Sequence, residues 1–434
     1  MPWPKQAGRC FGSGRMRLRH AWRNRLRRLF GPPSCRRRLL SATLGKVFAV
    51  SQSDPSTTDL PRVLEFFAGI GLARLGLEAA GFRVAWSNDY EPAKHEMYTA
   101  NFGADQLREY VVGDVREVKA AQLPSNISLA WASSPCTDLS IAGARAGING
   151  SESGTFWEYI RILREMNDSR PAVAVLENVI GLATSRGGED LASAIKAFNS
   201  LGYSVDVLSI DARRFVPQSR PRLFLVAAMN PPQNRDQLNS ELRPDWLQRV
   251  FADPSLRTHR ATLPTPPAPL MSGLGICVED LPLSDDRWWD DARTASFSES
   301  LSPTQRDRVD QLKRSNGVLY RTAYRRTRRG EAVWEVRPDD IAGCLRTARG
   351  GSSKQALVRV GVGGLHVRWM TAREYATLMG ASHYVLGEAT TNQCLFGFGD
   401  AVAVPVVEWL AQHYLMPLVK GLPAPRAVEV EHAV

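Results

Sequence analysis

The sequence predicts an α/β fold: a Rossmann-like, mostly parallel sheet covered by helices on both faces, with a smaller domain inserted into it. Three observations carry this. Short apolar runs alternate with helical patterns from Arg62 to Ala228. A glycine turn, Ala68-Gly-Ile-Gly71, joins the first run to the first helical pattern. The regular pattern then lapses between residues 231 and 369 and returns at Thr371. Alternating strands and helices build parallel sheets because each crossover helix covers a sheet face.

The elements follow in order. Arg62–Phe67 reads as a strand, Leu72–Ala80 as a helix, Phe82–Trp86 as a strand and Glu91–Asn101 as a helix. A third strand leads to Gly113-Asp-Val115, and Leu129–Ala132 is the next apolar run. Phe156–Met166 is helical, Ala172–Leu176 extended, and Asp190–Leu201 helical, before the strands Tyr203–Ile210 and Arg222–Ala228. In the irregular region, Gln355–Val362 and Gly364–Met370 look like short β segments. Ala372–Met379 and Ala401–Leu415 are predicted helices that return to the first domain. This divides the chain into a basic extension and linker (1–60), a catalytic domain (61–230), an inserted domain (231–369), a return segment (370–420) and a tail (421–434).

The net charge of +11 invites a nucleic-acid partner, but its distribution qualifies that. Of the 55 Lys and Arg, 13 lie in residues 1–53 with no acid among them, so the remainder carries 42 bases against 44 acids. Residues 1–53 have the composition of an organelle transit peptide, but we read them as a solvated basic extension. Deleting residues 1–50 is therefore expected to leave activity largely intact. The six cysteines are scattered without a CxxC pair, which argues against a zinc site and a disulfide framework and fits a reducing cytosol. No apolar run is read as long enough to span a membrane.

Candidate site residues sit at the ends of successive strands. Glycines in Glu65-Phe-Phe-Ala-Gly-Ile-Gly71 allow close backbone approach, and the following helix offers free N–H groups. Such a turn could equally pack a strand on a helix or bind a dinucleotide, but Arg74 replaces the third glycine of the dinucleotide fingerprint. Asp89, read as lying just past the second strand, is placed to take ribose hydroxyls. Tyr90 is placed to stack on a base, and Asp114 to accept from an adenine amine. Together these favour a nucleoside site. Further on, Ser134-Pro-Cys136 places a thiol at a strand end, ahead of a Gly/Ser-rich loop, Ile141–Gly154, that could act as a lid. Glu177 follows an apolar run, where an acid without a task would be costly. Gln218-Ser-Arg-Pro-Arg222 sets two arginines immediately before the strand Leu223–Ala228.

In this order the motifs resemble the DNA (cytosine-5)-methyltransferase family, of restriction–modification type: Phe-Ala-Gly-Ile-Gly, Pro-Cys, Glu-Asn-Val, Gln-x-Arg-x-Arg, Arg373–Gly380 and Gly399-Asp-Ala-Val402. The resemblance covers residues 62–230 and 370–416. It implies a class I S-adenosylmethionine-dependent methyltransferase fold with an inserted target-recognition domain, S-adenosylmethionine as cofactor and no metal. It implies methyl transfer to carbon 5 of a cytosine flipped out of double-stranded DNA. Cys136 is then the nucleophile on carbon 6, Glu177 contacts N3 and the exocyclic amine, and Arg222 holds the base O2. Arg220 is grouped with them, serving phosphate or loop positioning. Phe67, Ala68, Gly69, Ile70, Gly71, Asp89, Tyr90, Asp114 and Asp400 surround the cofactor. Arg346, Arg349, Gly350 and Gly351 of the Leu345–Gly351 segment, together with Gln218, are expected at DNA. The basic run Tyr324–Gly330 reads either as an exposed loop or as a base-contacting segment.

The chain departs from the family pattern at Thr137-Asp-Leu-Ser140, where Gln-x-Phe-Ser is common, and at Ser134 and Asp400. A tRNA cytosine methyltransferase is disfavoured by the missing Cys-Phe-Thr signature, and amino-group methylation by Pro-Cys in place of Pro-Pro-aromatic. A catalytically dead DNA-binding relative is disfavoured because Cys136, Glu177 and Arg222 are all retained. A monomeric cytoplasmic enzyme of a bacterium or phage, acting alone or beside a separate restriction endonuclease, is the expected setting.

Overall fold

The computed structural model describes residues 60–103, 109–135, 150, 154–233, 240–328, 330–346 and 354–421. Cys136, the Ile141–Gly154 loop apart from Gly150 and Gly154, Arg349, Gly350, Gly351, the 1–59 extension and residues 422–434 lie outside them.

Seven strands form the main sheet: β1 Arg62–Phe66, β2 Arg83–Asp89, β3 Tyr110–Val112, β4 Leu129–Ser133, β5 Val173–Val179, β6 Ser204–Asp211 and β7 Pro221–Ala228. Their order is β3-β2-β1-β4-β5-β7-β6. All neighbours are parallel except β7, which runs antiparallel to both β5 and β6. Strand order reverses between β1 and β4, and the crevice outside the carboxyl ends at such a switch point is where open α/β sheets bind ligands. Phe66 pairs with Ala132 across that point, so the turn after β1 and the turn after β4 emerge side by side.

The strands are continuous apolar runs because both faces are covered. Val63, Val84, Trp131, Val175 and Val226 face one core, which also holds the helix Leu72–Ala79 and the C-terminal helices. Leu64, Phe66, Ala130, Leu176 and Leu225 face the other, under the helices Thr155–Glu165 and Glu189–Ser200. Gly76 permits a close helix contact: a Cβ there would lie 2.7 Å from the Val404 carbonyl oxygen and from Val407 Cβ.

Polar residues mark where strand ends differ from the sequence reading. β2 runs on to Asp89, which is its last residue rather than a loop residue beyond it. β5 runs on through Glu177 and Asn178 to Val179, because it is paired on both edges, by β4 and by β7. Arg222 lies inside β7, opposite Val179, as the strand reading Arg222–Ala228 had it.

A second sheet, fully antiparallel, has the order β11-β10-β8-β9, from β8 Val318–Arg328, β9 Glu331–Val336, β10 Gln355–Gly361 and β11 His366–Trp369. Two helices that no periodicity announced, Asp291–Glu299 and Pro303–Lys313, accompany it. Asp290 and Ser302 cap them by accepting from the Arg293 and Gln305 amides. Trp289, Phe297, Val309, Ala323, Trp334 and Val358 form this unit's own core.

Ala372–Leu378 begins with a full capping box, Thr371 with Glu374. The predicted helix over 401–415 starts at Val404 instead, and a separate helix, Thr391–Asp400, precedes it. The stretch Thr391–Lys420 is long and apolar enough to cross a membrane, contrary to the sequence reading, but 72% of its most apolar window is buried inside the protein. Its apolar side chains, among them Leu395, Phe398, Val407 and Leu410, belong to the core against the sheet.

Candidate active site

The turn after β1 is unusual backbone. Phe67, Gly69 and Gly71 all have positive φ (57°, 57° and 79°). The two glycines differ in why they are needed. A Cβ on Gly71 would stand 2.4 Å from Phe102 and 2.8 Å from Tyr98, whereas one on Gly69 meets nothing within 4 Å. Gly69 thus opens onto free space at the switch point, as a cradle for a bound group requires. Asp89 braces the turn: one carboxylate oxygen accepts from the Gly69 amide at 2.9 Å and the other from the Glu91 amide at 3.0 Å. Tyr384, from the return segment, donates its hydroxyl to the Ile70 carbonyl at 2.7 Å, and Tyr110 donates to that of Gly69 at 3.3 Å. Ala68 is buried and Tyr90, immediately after β2, is 51% exposed, leaving its ring free to stack.

Beneath this turn lies a polar cluster. Glu65 is fully buried, accepting from the Arg74 amide at 3.1 Å and from Ser87 Oγ at 3.1 Å. Arg74 donates to Tyr98 Oη at 2.9 Å and stacks over Phe102 at 4.6 Å. Burial lifts Glu65 to about 7, despite the nearby Arg74 guanidinium and the Ser87 hydrogen bond. The cluster was not foreseen, yet its signal was present: an acid inside an apolar run, the same argument that singled out Glu177.

Two cofactor candidates behave differently. Asp114 caps the short turn Val115–Glu117, accepting from the Arg116 amide at 2.9 Å, and pairs with the Arg116 side chain at 2.9 Å. Asp400, at the end of its helix, pairs with Lys94 at 3.1 Å. Burial works against the Lys94 charge, but Asp89 and Asp400 outweigh it and raise the ammonium above its ordinary value.

At the carboxyl end of β4, Asn178 donates to the Ser134 carbonyl (3.3 Å) and to Ser134 Oγ (3.1 Å), which fixes the turn that runs into Pro135 and Cys136. Glu177 pairs in register with Ser133 of β4 and Phe224 of β7. It is 6% exposed and sits 3.1 Å from Arg222 Nε. Burial raises its carboxyl above the ordinary value in spite of Arg222 and Arg220, so it is suited to carry a proton at higher pH than a solvated glutamate. Cys344, a thiol the sequence reading passed over, lies 3.5 Å from Arg220 Nη1 and 4.0 Å from Arg222 Nη1. Burial alone would raise it, and Arg220, Arg222 and Arg346 together hold it below its ordinary value.

Arg220 takes one of its two expected places, and Gln218 is placed otherwise than expected. Arg220 is 1% exposed and spends its guanidinium on main-chain carbonyls: Leu345 at 2.7 Å, Gly399 at 2.8 Å, and Ala401. It is a clamp between β7, the Leu345 segment and the return segment, the loop-positioning alternative rather than a group reaching a substrate. Gln218, expected at DNA, is fully buried. Its amide donates to the Leu378 carbonyl at 2.9 Å and accepts from the Leu345 amide at 3.1 Å. Arg346, the next residue but one after Cys344, is exposed. The basic run from Tyr324 is no loop: it continues β8 into a hairpin, and Arg326 and Arg328 both pair with Glu335 of β9. Among the described residues no three His, Cys, Asp or Glu side chains are grouped so as to hold a metal ion.

Comparison with known proteins fits this geometry. The profile of C-5 cytosine-specific DNA methylases matches residues 61–415. Among curated proteins, the chain is 31% identical over 178 residues to the Type II methyltransferase M.NgoPII of Neisseria gonorrhoeae, covering 41% of this chain and 50% of that protein. It is 32% identical over 170 residues to the Type II methyltransferase M.HhaI of Haemophilus parahaemolyticus, covering 39% and 49%. The chain thus spans about half the length of the curated relatives it matches. Among solved structures, the Schizosaccharomyces pombe Dnmt2 methyltransferase superposes with a TM-score of 0.54 at 18% identity, over 82% of this chain and 99% of that one. That likeness shows the fold, a class I methyltransferase sheet. On the extent of the profile match, the chain belongs to the C-5 cytosine-specific DNA methylase family.

Proposed function

We propose that this protein transfers a methyl group from S-adenosylmethionine to carbon 5 of a cytosine flipped out of double-stranded DNA. The observation that carries the reading is the pairing of Glu177 with Arg222 at 3.1 Å, near the carboxyl end of β5 and the amino end of the antiparallel β7, beside the Asn178-anchored turn that leads to Cys136. The residues around Gly69 fit the cofactor: an open cradle, a braced Asp89 and an uncovered Tyr90 ring. Phe67, Ala68, Ile70 and Gly71 would line its other sides, with Asp114 and Asp400 at the margins. When bound, the sulfonium supplies an electrophilic methyl group.

The chain's own groups do the rest. The Cys136 thiolate adds to carbon 6, and the ring electrons displaced by that attack collect toward N3. Glu177, its carboxyl raised above the ordinary value by burial, gives a proton to N3 as that charge develops, and Arg222 steadies O2. This pair makes carbon 5 nucleophilic enough to take the methyl group. Water then takes the carbon 5 proton, the freed electron pair re-forms the 5,6 double bond and expels Cys136 as a thiolate, and N3 returns its proton to Glu177, which restores the ring. Arg220 acts indirectly, by fixing Leu345 and the segment that carries Arg346, Arg349, Gly350 and Gly351 to DNA. Residues 231–369 serve as the target-recognition domain in this reading. The names of the relatives, Type II methyltransferases, favour a restriction–modification setting; in this reading the enzyme works as a monomer in a bacterial cytoplasm, and any cognate endonuclease is a separate protein.

Bisulfite sequencing of plasmid DNA from cells expressing the protein beside Cys136→Ser tests this directly. Protected cytosines in one recurring short context, absent with the variant while DNA binding persists, are expected. Equal protection by the Cys136→Ser variant would sink the mechanism.

A further inference from the structure

The small sheet carries a cleft that methyl transfer leaves unused, about 270 Å³, lined by Trp289, Arg293, Phe297, Arg325, Trp334 and Trp369. We propose that this cleft binds a single unpaired nucleotide unit, its base against the indoles and its phosphate between Arg293 and Arg325, a second contact that rests on the protein acting on DNA. Three indoles tilt toward one another, with Trp289 5.6 Å from Trp334 and 5.3 Å from Trp369, and Trp334 5.6 Å from Trp369. Packing of the small core accounts for the burial of Trp334 and Phe297. It does not account for the Trp289 indole N–H, which is buried with no hydrogen-bond acceptor in a residue only 9% exposed. An orphaned buried donor costs free energy unless an acceptor reaches it.

Nor does packing account for the cations at the mouth. Arg326 and Arg328, on the same strand, are neutralised by Glu335. Arg293 instead lies with its guanidinium 4.1 Å from the Trp289 ring centre, and neither it nor Arg325 has a carboxylate partner among the described residues. Arg325 stands in register with Trp334 across β8 and β9, on the side of the sheet where Ala323 packs. Aromatic faces beside unneutralised guanidiniums match a base with its phosphate, since every base has a face to stack and guanidinium binds phosphate in a planar fork. Arg293 is exposed and can swing from the Trp289 face to a phosphate, uncovering that face for a base. A stacked duplex presents no free base face, so the unit comes from an unpaired strand or from a free nucleotide.

The test reads the indole itself. Full-length protein with ¹⁵N-labelled tryptophan, saturated with S-adenosylhomocysteine so that the cofactor site cannot report, is titrated with dTMP and with a short oligothymidine strand. The Trp289 indole resonance is assigned by Trp289→Phe. Arg293→Gln, which strips the cation from that ring, gives the same assignment if the Phe variant fails to fold. A saturable shift of that resonance is expected, with affinity lowered at least about tenfold in Arg293→Gln and in Arg325→Gln at unchanged melting temperature. Saturation by the strand alone identifies an unpaired strand as the source, and saturation by both identifies the nucleotide unit itself. No saturable shift with either, or undiminished affinity in both Gln variants, overturns the proposal. No methyl transfer is read, so failure of the methylation assay and failure here are separate results.

Discussion

In the seven-stranded sheet, burial runs unbroken along β1, β4, β5 and β7, and charged groups that enter this interior are taken up by partners. In the four-stranded sheet, β8 is buried only at Thr322 and Ala323 and β9 only at Trp334 and Val336, and their charges, Arg326, Arg328 and Glu335, meet near the surface. The difference teaches where electrostatics has leverage. Inside the large sheet, Asp206 and Arg243 are both fully buried and joined at 2.8 Å and 2.5 Å. Tyr414 and the Ala261 amide also donate to Asp206. Burial alone would raise the Asp206 carboxyl, and the Arg243 guanidinium more than offsets it, holding it below its ordinary value.

That contrast can be broken at graded sites. Asp206→Asn strands the Arg243 charge in the interior and should cost about 3–5 kcal/mol in urea unfolding; a loss under about 1 would show that water reaches the pair. Glu65 comes next. Its carboxyl is raised in the folded protein from 4.5 to about 7, so its neutral form favours folding below pH 4.5 and that advantage is lost as pH rises through 7. In Glu65→Gln the change in stability between pH 5 and pH 8 should shrink by about 2–3 kcal/mol, read by denaturant titration at both values. An unchanged pH slope would place the titration elsewhere. Gly71→Ala should destabilise by roughly 2–3 kcal/mol, since strain at positive φ adds to the clash with Phe102, and Gly69→Ala by about 1 from strain alone. Equal melting temperatures for the two variants would refute the distinction. The smallest effect belongs to the hairpin: Arg328→Ala should cost less than about 1 kcal/mol, and less still in high salt.

The same contrast explains what could be read in advance. Strands covered on both faces announce themselves as apolar runs, and β1 and β4 through β7 were found that way. Their ends were missed wherever polar residues stay paired: Ser87–Asp89 in β2, and Glu177 and Asn178 in β5. β8 escaped notice because arginines interrupt its apolar positions, β9 because glutamates bound its short apolar run, and Thr391–Asp400 because Gly399 and Asp400 read as a motif rather than a helix. Gln218 and Arg220 were recognised as motif residues, but their partners lie 125 to 181 positions away, at Leu345, Leu378, Gly399 and Ala401. No local pattern reports such pairings. Asn178 stood in the Glu-Asn-Val motif without a role of its own, and Cys344 carried no signal beyond its neighbours.

Tyr384 closes the cradle from far along the chain, its hydroxyl reaching the Ile70 carbonyl across 314 residues. At the pace of a ribosome, about 5–20 residues per second, that interval is roughly 15–60 s. Throughout it the nascent glycine turn lacks its seal, and the sheet face that receives Val407 and Leu410 stays uncovered. The emerging chain must hold an exposed apolar face for most of its own synthesis, which makes it a natural client for a chaperone and gives slower translation of the inserted region a direct cost in yield.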